Sequence, residues 1–86
     1  MMEDELATMA QEELDAACAM PFVELQKITP WGDSYEGFAP SGRTVEVERR
    51  YLWAVEPEGG VIVEVEVRDR AARTGAEARA LLTAAD

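Results

Sequence analysis

The run from Thr44 to Arg70, TVEVERRYLWAVEPEGGVIVEVEVRDR, constrains the fold more than any other part of the chain. Val45, Val47, Arg49, Tyr51, Trp53 and Val55 fall at every second position, as do Val61, Val63, Val65 and Val67, and most of the residues between them are charged. A period of two with one apolar face is the pattern of a strand buried on one side, and β-branched and aromatic side chains favour that surface. Pro57-Glu58-Gly59-Gly60 interrupts the two runs, so they are expected to form an antiparallel hairpin.

Charge supplies an expected register. If opposed residues sum to 116, Trp53 meets Val63 and Tyr51 meets Val65, while Glu46 faces Arg70, Glu48 faces Arg68 and Arg50 faces Glu66. A sum of 118 would set Arg50 against Arg68, and an odd sum would place valines opposite glutamates. The expectation is therefore 116, with a five-residue loop from Glu56 to Gly60.

The rest of the chain must cover that hairpin. Residues 3 to 18 carry Leu6, Met9, Ala10, Leu14 and Ala17 at helical spacing and lack Gly and Pro, and Glu3, Asp4 and Glu5 stand where the helix dipole favours anions. A helix of about four turns, ended by Pro21, is expected. At about 100° per residue, Asp4, Glu5, Glu12 and Asp15 fall opposite Leu6 and Ala17, giving one apolar stripe and one anionic face. FVELQKI, Phe22 to Ile28, reads as a strand with Val23 and Leu25 on its core side.

ITPWGDSYEGFAPSGR, residues 28 to 43, holds Trp31, Tyr35 and Phe38 among three glycines and two prolines. Turns at Pro30-Trp31-Gly32 and Pro40-Ser41-Gly42 isolate SYEGFA as a short strand. The three aromatics are expected to serve as core pegs. At least two should then be mostly buried, Trp31→Ala should cost about 2 to 4 kcal/mol, and Trp53 should be buried in any case. The competing reading makes them an exposed recognition surface. After Arg70, Thr74 and Glu77 match a capping box, and Ala78, Leu81, Leu82 and Ala85 form a narrow apolar stripe, which reads as a short C-terminal helix. The whole is an α+β domain of two layers over residues 1 to 86: an N-terminal helix, a meander-like four-stranded antiparallel sheet and a closing helix.

One residue breaks the apolar face of the hairpin. Arg49 points the same way as Val47 and Tyr51, and an unpaired buried guanidinium costs several kcal/mol. Glu13 is the matching anomaly inside the apolar stripe of the N-terminal helix, so the two are expected to pair. Arg49 otherwise meets an acid on another chain or reaches the rim of the sheet.

Composition narrows the function. A chain of 86 residues is one domain and buries only about 60 to 65% of its unfolded surface, which leaves little room for a deep cavity. It has no histidine and one cysteine, Cys18, which reads as a small apolar residue on a helix. Zinc sites built on Cys and His are thereby excluded, as are nucleophiles activated by histidine. Neither a calcium loop nor a phosphate-cradling glycine loop is present. The net charge is −10, of which −6 lies in residues 1 to 20, so nucleic acid and anionic membranes are not expected partners. No segment is apolar enough to cross a bilayer, and the acidic start does not resemble an export signal, so a cytoplasmic location is expected.

These observations point to a non-enzymatic protein-interaction module: a small adaptor, an assembly subunit or a homo-oligomer, without cofactor or metal. Asp4, Glu5, Glu12, Asp15, Trp31, Tyr35, Phe38 and Arg49 are the candidate partner-binding residues. The alternative is an acidic inhibitor or nucleic-acid mimic, of the kind associated with phages, that lays its anionic helix face in the basic groove of an enzyme.

Overall fold

A computed structural model describes residues 5 to 83. The elements run α1 (Glu5–Cys18), α2 (Phe22–Ile28), β1 (Gly32–Phe38), β2 (Thr44–Trp53), β3 (Val61–Asp69) and β4 (Thr74–Leu82). The strands form one antiparallel sheet in the order β1-β2-β3-β4, an open meander, and the fold is α+β.

α1 follows its periodicity. Leu6, Ala10, Leu14 and Ala17 are buried, one apolar stripe along fourteen residues. That stripe lies on the inner face of β3 and β4. Val61, Val63, Val65 and Val67 of β3 are fully enclosed beneath it. Ala76, Ala78 and Ala80 of β4 supply short side chains against which a helix can settle closely, and Leu82 ends that row.

Two elements exchange identities relative to the sequence reading. Phe22–Ile28 is a helix, not a strand. Seven residues fit either period, and Phe22, Leu25 and Ile28 also lie three apart. Pro21 tips the balance by opening the turn, its carbonyl accepting the amides of Glu24 (2.9 Å) and Leu25 (3.1 Å). Gln26 Nε2 then donates to the Glu58 carbonyl (2.9 Å), tying α2 to the loop between β2 and β3. The expected C-terminal helix is instead β4, and Ala85 of its stripe lies outside the described residues. Ala, Glu, Arg and Leu favour helix, but TGAEARALL also alternates, and the open edge of β3 supplies a full ladder of partners. Tertiary pairing overrides propensity here. The capping box dissolves: Thr74 opposes Asp69, and Glu77 reaches Arg50 at 3.6 Å.

The register of β2 and β3 sums to 114 rather than 116, so each residue of β2 faces a partner two positions earlier on β3 than expected: Trp53 faces Val61 and Tyr51 faces Val63. The Ala54 amide bonds the Gly60 carbonyl (2.9 Å), so the strand stops before Val55, which is exposed in the loop. Glu48 and Glu66 are thereby opposed. Long arginines make this tolerable, because Arg68 reaches Glu66 (2.6 Å), Glu46 (3.1 Å) and Glu48 (3.1 Å) at once. Charge pairing read only straight across the ladder missed such diagonal reach. Trp53, expected to be buried, is half-buried against the core at the end of β2.

The two readings of Phe22–Ile28 make different energetic predictions. As a strand, Val23 and Leu25 share the core face; as a helix, Leu25 is fully buried while Val23 is 56% exposed. Leu25→Ala is expected to cost about 2 to 5 kcal/mol in urea unfolding, and Val23→Ala to change stability by less than about 0.5 kcal/mol.

Candidate functional site

β1 is held to β2 by a tight turn and a close approach. The Ala39 amide bonds the Arg43 carbonyl (2.9 Å), the Gly42 amide bonds the Ala39 carbonyl (2.7 Å), and Gly42 adopts φ +96°, a three-residue loop closed by a left-handed glycine. At the other end, a Cβ on Gly32 would lie 2.5 Å from the Arg49 carbonyl, so only glycine lets the strands meet there. The register sums to 82 and sets Asp33 opposite Arg49, Tyr35 opposite Val47 and Gly37 opposite Val45.

The phase of this ladder decides which backbone groups are free. The Tyr51 amide donates to the Trp31 carbonyl (3.3 Å), and Ala39 bonds Arg43, so the odd-numbered residues of β1 exchange hydrogen bonds with β2. Gly32, Ser34, Glu36 and Phe38 therefore turn their amides and carbonyls outward, along the edge of the sheet.

Side chains follow the same alternation. Asp33 and Tyr35 stand on the inner face with Arg49, whereas Ser34, Glu36 and Phe38 stand on the outer one. Arg49 forms a two-pronged ion pair with Asp33, Nε to Oδ1 at 2.8 Å and Nη2 to Oδ2. Its Nη1 is 3.7 Å from Glu13 of α1, and its guanidinium lies 5.3 Å from the centre of the Tyr35 ring. The expected contact with Glu13 is present, but Asp33 is the closer partner. The turn signal at Pro40-Ser41-Gly42 was enough to find it, because a three-residue loop there places residue 33 opposite residue 49. Beside this cluster Met20, Ile28, Trp31 and Tyr51 line an open cleft of about 300 Å³.

The expectation of buried pegs is overturned. Trp31 is 70% exposed, Tyr35 40% and Phe38 74%. α1 lies over β3 and β4, and β1 extends past its cover. The anionic helix face is also less uniform than expected. Glu5 turns to the β1–β2 loop, where its carboxylate accepts the Ser41 amide (3.1 Å), the Ser41 hydroxyl (2.7 Å) and Arg43 Nε (2.7 Å). Glu12 and Asp15 are exposed, Asp15 accepting from Gln11 at 2.9 Å, and Asp4 lies outside the described residues. Glu5 and Arg49 thus serve the fold, and the candidates that the structure gathers on one strand and its approach are Trp31, Tyr35 and Phe38.

Titration behaviour fits the same division. Hydrogen bonds from Ser41 lower the Glu5 carboxyl, those from Arg49 lower Asp33, and those from Arg68 lower Glu46. The guanidinium groups of Arg49, Arg50 and Arg68 are pushed up, chiefly by their carboxylate partners. Each shift holds a group in its charged form, as structural ion pairs do, whereas proton transfer calls for groups balanced near neutrality. The phenols of Tyr35 and Tyr51 are raised by burial first, as is the Cys18 thiol on its half-buried helix position. Among the described residues no group of three or more acids or cysteines is placed to hold a metal ion, and no helix is long and apolar enough to cross a membrane. The chain matches no protein-family model, no curated protein and no solved structure.

Asp33 carries a pH prediction. Its folded pKa lies below the unfolded value of about 3.9, so its contribution is complete above that pH and is lost as pH falls through the folded pKa. The carboxylate is half exposed, which keeps the contribution within about 1 kcal/mol. Between pH 7 and about pH 3, urea unfolding should show a larger loss of stability for the unaltered chain than for Asp33→Asn. Equal losses would mean that the pair contributes nothing.

Proposed function

We propose that this chain is a non-enzymatic protein-interaction module, an adaptor or assembly subunit, that binds through the β1 edge. The observation that carries the reading is the coincidence of three exposed aromatics with the one strand that extends beyond the helix. Trp31, Tyr35 and Phe38 lie along β1 and its approach, and that strand's outward amides and carbonyls offer a ladder to an added strand. Tyrosine and tryptophan are the side chains that most often anchor such contacts. The cleft beside Trp31 gives an apolar side chain of the partner a place to seat.

The ion pairs support the same reading from the other side, because every resolved carboxylate and guanidinium shift favours the charged form over proton exchange.

Trp31 and Phe38 can be changed with little effect on the fold. The double variant Trp31→Ser, Phe38→Ser should unfold within about 1 kcal/mol of the parent, since exposed substitutions rarely cost more. Capture of partners from native lysate should fall at least about tenfold, a loss of about 1.4 kcal/mol in binding. Glu12→Lys with Asp15→Lys should leave capture unchanged. The reverse pattern, with capture lost on the helix and kept on β1, would overturn this surface in favour of the anionic helix face.

A further inference from the structure

We propose that the partner of the β1 edge is a second copy of this chain, paired antiparallel with the first through β1 about a two-fold axis perpendicular to the sheet, so that opposed residues sum to 70. The proposal rests on the interaction reading of the same edge and names its occupant.

The register follows from β1 itself. Only Gly32, Ser34, Glu36 and Phe38 have outward backbone groups, so even-numbered residues must oppose even-numbered residues, and odd sums are excluded. A sum of 66 opposes Asp33 to Asp33 of the second copy, and 72 opposes Glu36 to Glu36, like charges directly across the ladder. A sum of 68 calls on Pro30, which has no amide to donate, and leaves a shorter ladder. A sum of 70 uses the whole strand from Gly32 to Phe38.

That register also covers the exposed aromatics. Phe38 lies over Gly32 of the second copy on the outer face, where the glycine leaves room for a ring. Glu36 meets Ser34 of the second copy, an acceptor beside a donor. On the inner face Tyr35 opposes Tyr35 across a non-hydrogen-bonded pair, where Cα atoms approach to about 4.5 Å and side chains are closest. Trp31 comes beside Ala39 and Pro40 of the second copy, an apolar turn. The product is a continuous eight-stranded antiparallel sheet, order β4-β3-β2-β1-β1-β2-β3-β4, with both α1 helices on one side. α1 packs chiefly against β3 and β4 and approaches the junction only through Glu13, whose carboxylate lies 3.7 Å from Arg49.

The register can be read by cysteine scanning. In a Cys18→Ser background, Ser34→Cys, Tyr35→Cys and Glu36→Cys each test one sum, because a residue meets its own copy only when the sum is twice its number. Mild oxidation should give disulfide dimers at position 35 and far less at 34 and 36. For the unaltered chain at about 0.2 mM, light scattering should give twice the 9.5 kDa chain mass, since dimer formation follows mass action. Ser34→Pro, which removes an outward amide and none facing β2, should restore the single mass with unchanged circular dichroism. Because each chain carries −10, the dimer fraction should rise with salt, whereas binding to a basic partner would fall. A single-chain mass for the unaltered protein, or a dimer that cross-links at 34 or 36, overturns the proposal. The two readings fail separately: if the chain is monomeric yet Trp31→Ser, Phe38→Ser still loses its captured protein, the second copy is ruled out and the interaction surface stands.

Discussion

One long helix and a seven-residue one must cover four strands, and the structure depends on how that shortfall is met. A helix is about 10 Å across and strands lie about 4.8 Å apart, so α1 spans little more than two of them. It takes the side where the sheet is most apolar and thinnest, the valines of β3 and the alanines of β4. β2 lies at the margin of this cover and β1 beyond it. Arg49 sits where the cover ends. On a fully enclosed face it would be a costly misfit, but here its stem lies among apolar neighbours while its head reaches Asp33, Glu13 and the Tyr35 ring. The charge ties α1, through Glu13, to β1, through Asp33.

Much of this was legible in the sequence, and the failures share a cause. α1, the β2–β3 hairpin and the strand before Pro40 were readable because each has a period longer than its ambiguity. Phe22–Ile28 is too short to separate period two from period three and a half, and TGAEARALL carries both patterns together. Which one prevails depends on whether a neighbour offers a ladder or a groove, and that information lies elsewhere in the chain. The aromatics were misplaced for a related reason. A core short of apolar residues ought to recruit Trp31 and Phe38, but the alternation of β1 puts Phe38 on the outer face, and Trp31 lies past the end of the helical cover.

The outer face shows how a one-sided sheet stays solvated without losing its alignment. Arg50 reaches Glu64 (3.0 Å), Glu48 (3.2 Å) and Glu77 (3.6 Å), and Arg68 reaches Glu46, Glu48 and Glu66, so β2, β3 and β4 are cross-linked by two side chains. Exposed pairs of this kind contribute about 1 kcal/mol or less each. Their joint effect is on register, since a slip by one pair breaks several contacts together. At one end Leu52, Ile62 and Leu81 form an apolar row across the three strands, where the ionic lattice stops.

The two edges of the sheet are not equivalent, and the difference matters for association. β4 carries α1 on its inner face and alternates Glu77 with Arg79 on its outer one, so a strand added there would meet a helix on one side and charges of both signs on the other. α1 packs on β3 and β4 rather than on β1, and between Gly32 and Phe38 β1 has no proline, lysine or arginine, the devices that usually blunt an edge. Its only charges are Asp33, engaged by Arg49, and Glu36. An edge this open invites unselective pairing, and the net charge of −10 acts against that outcome. Repulsion between chains decays over about 8 to 10 Å at moderate salt. It therefore disfavours loose encounters along the whole surface and leaves room for a contact whose short-range complementarity is high. On the proposed reading, selectivity at β1 comes from a locally inviting strand on a globally repulsive molecule.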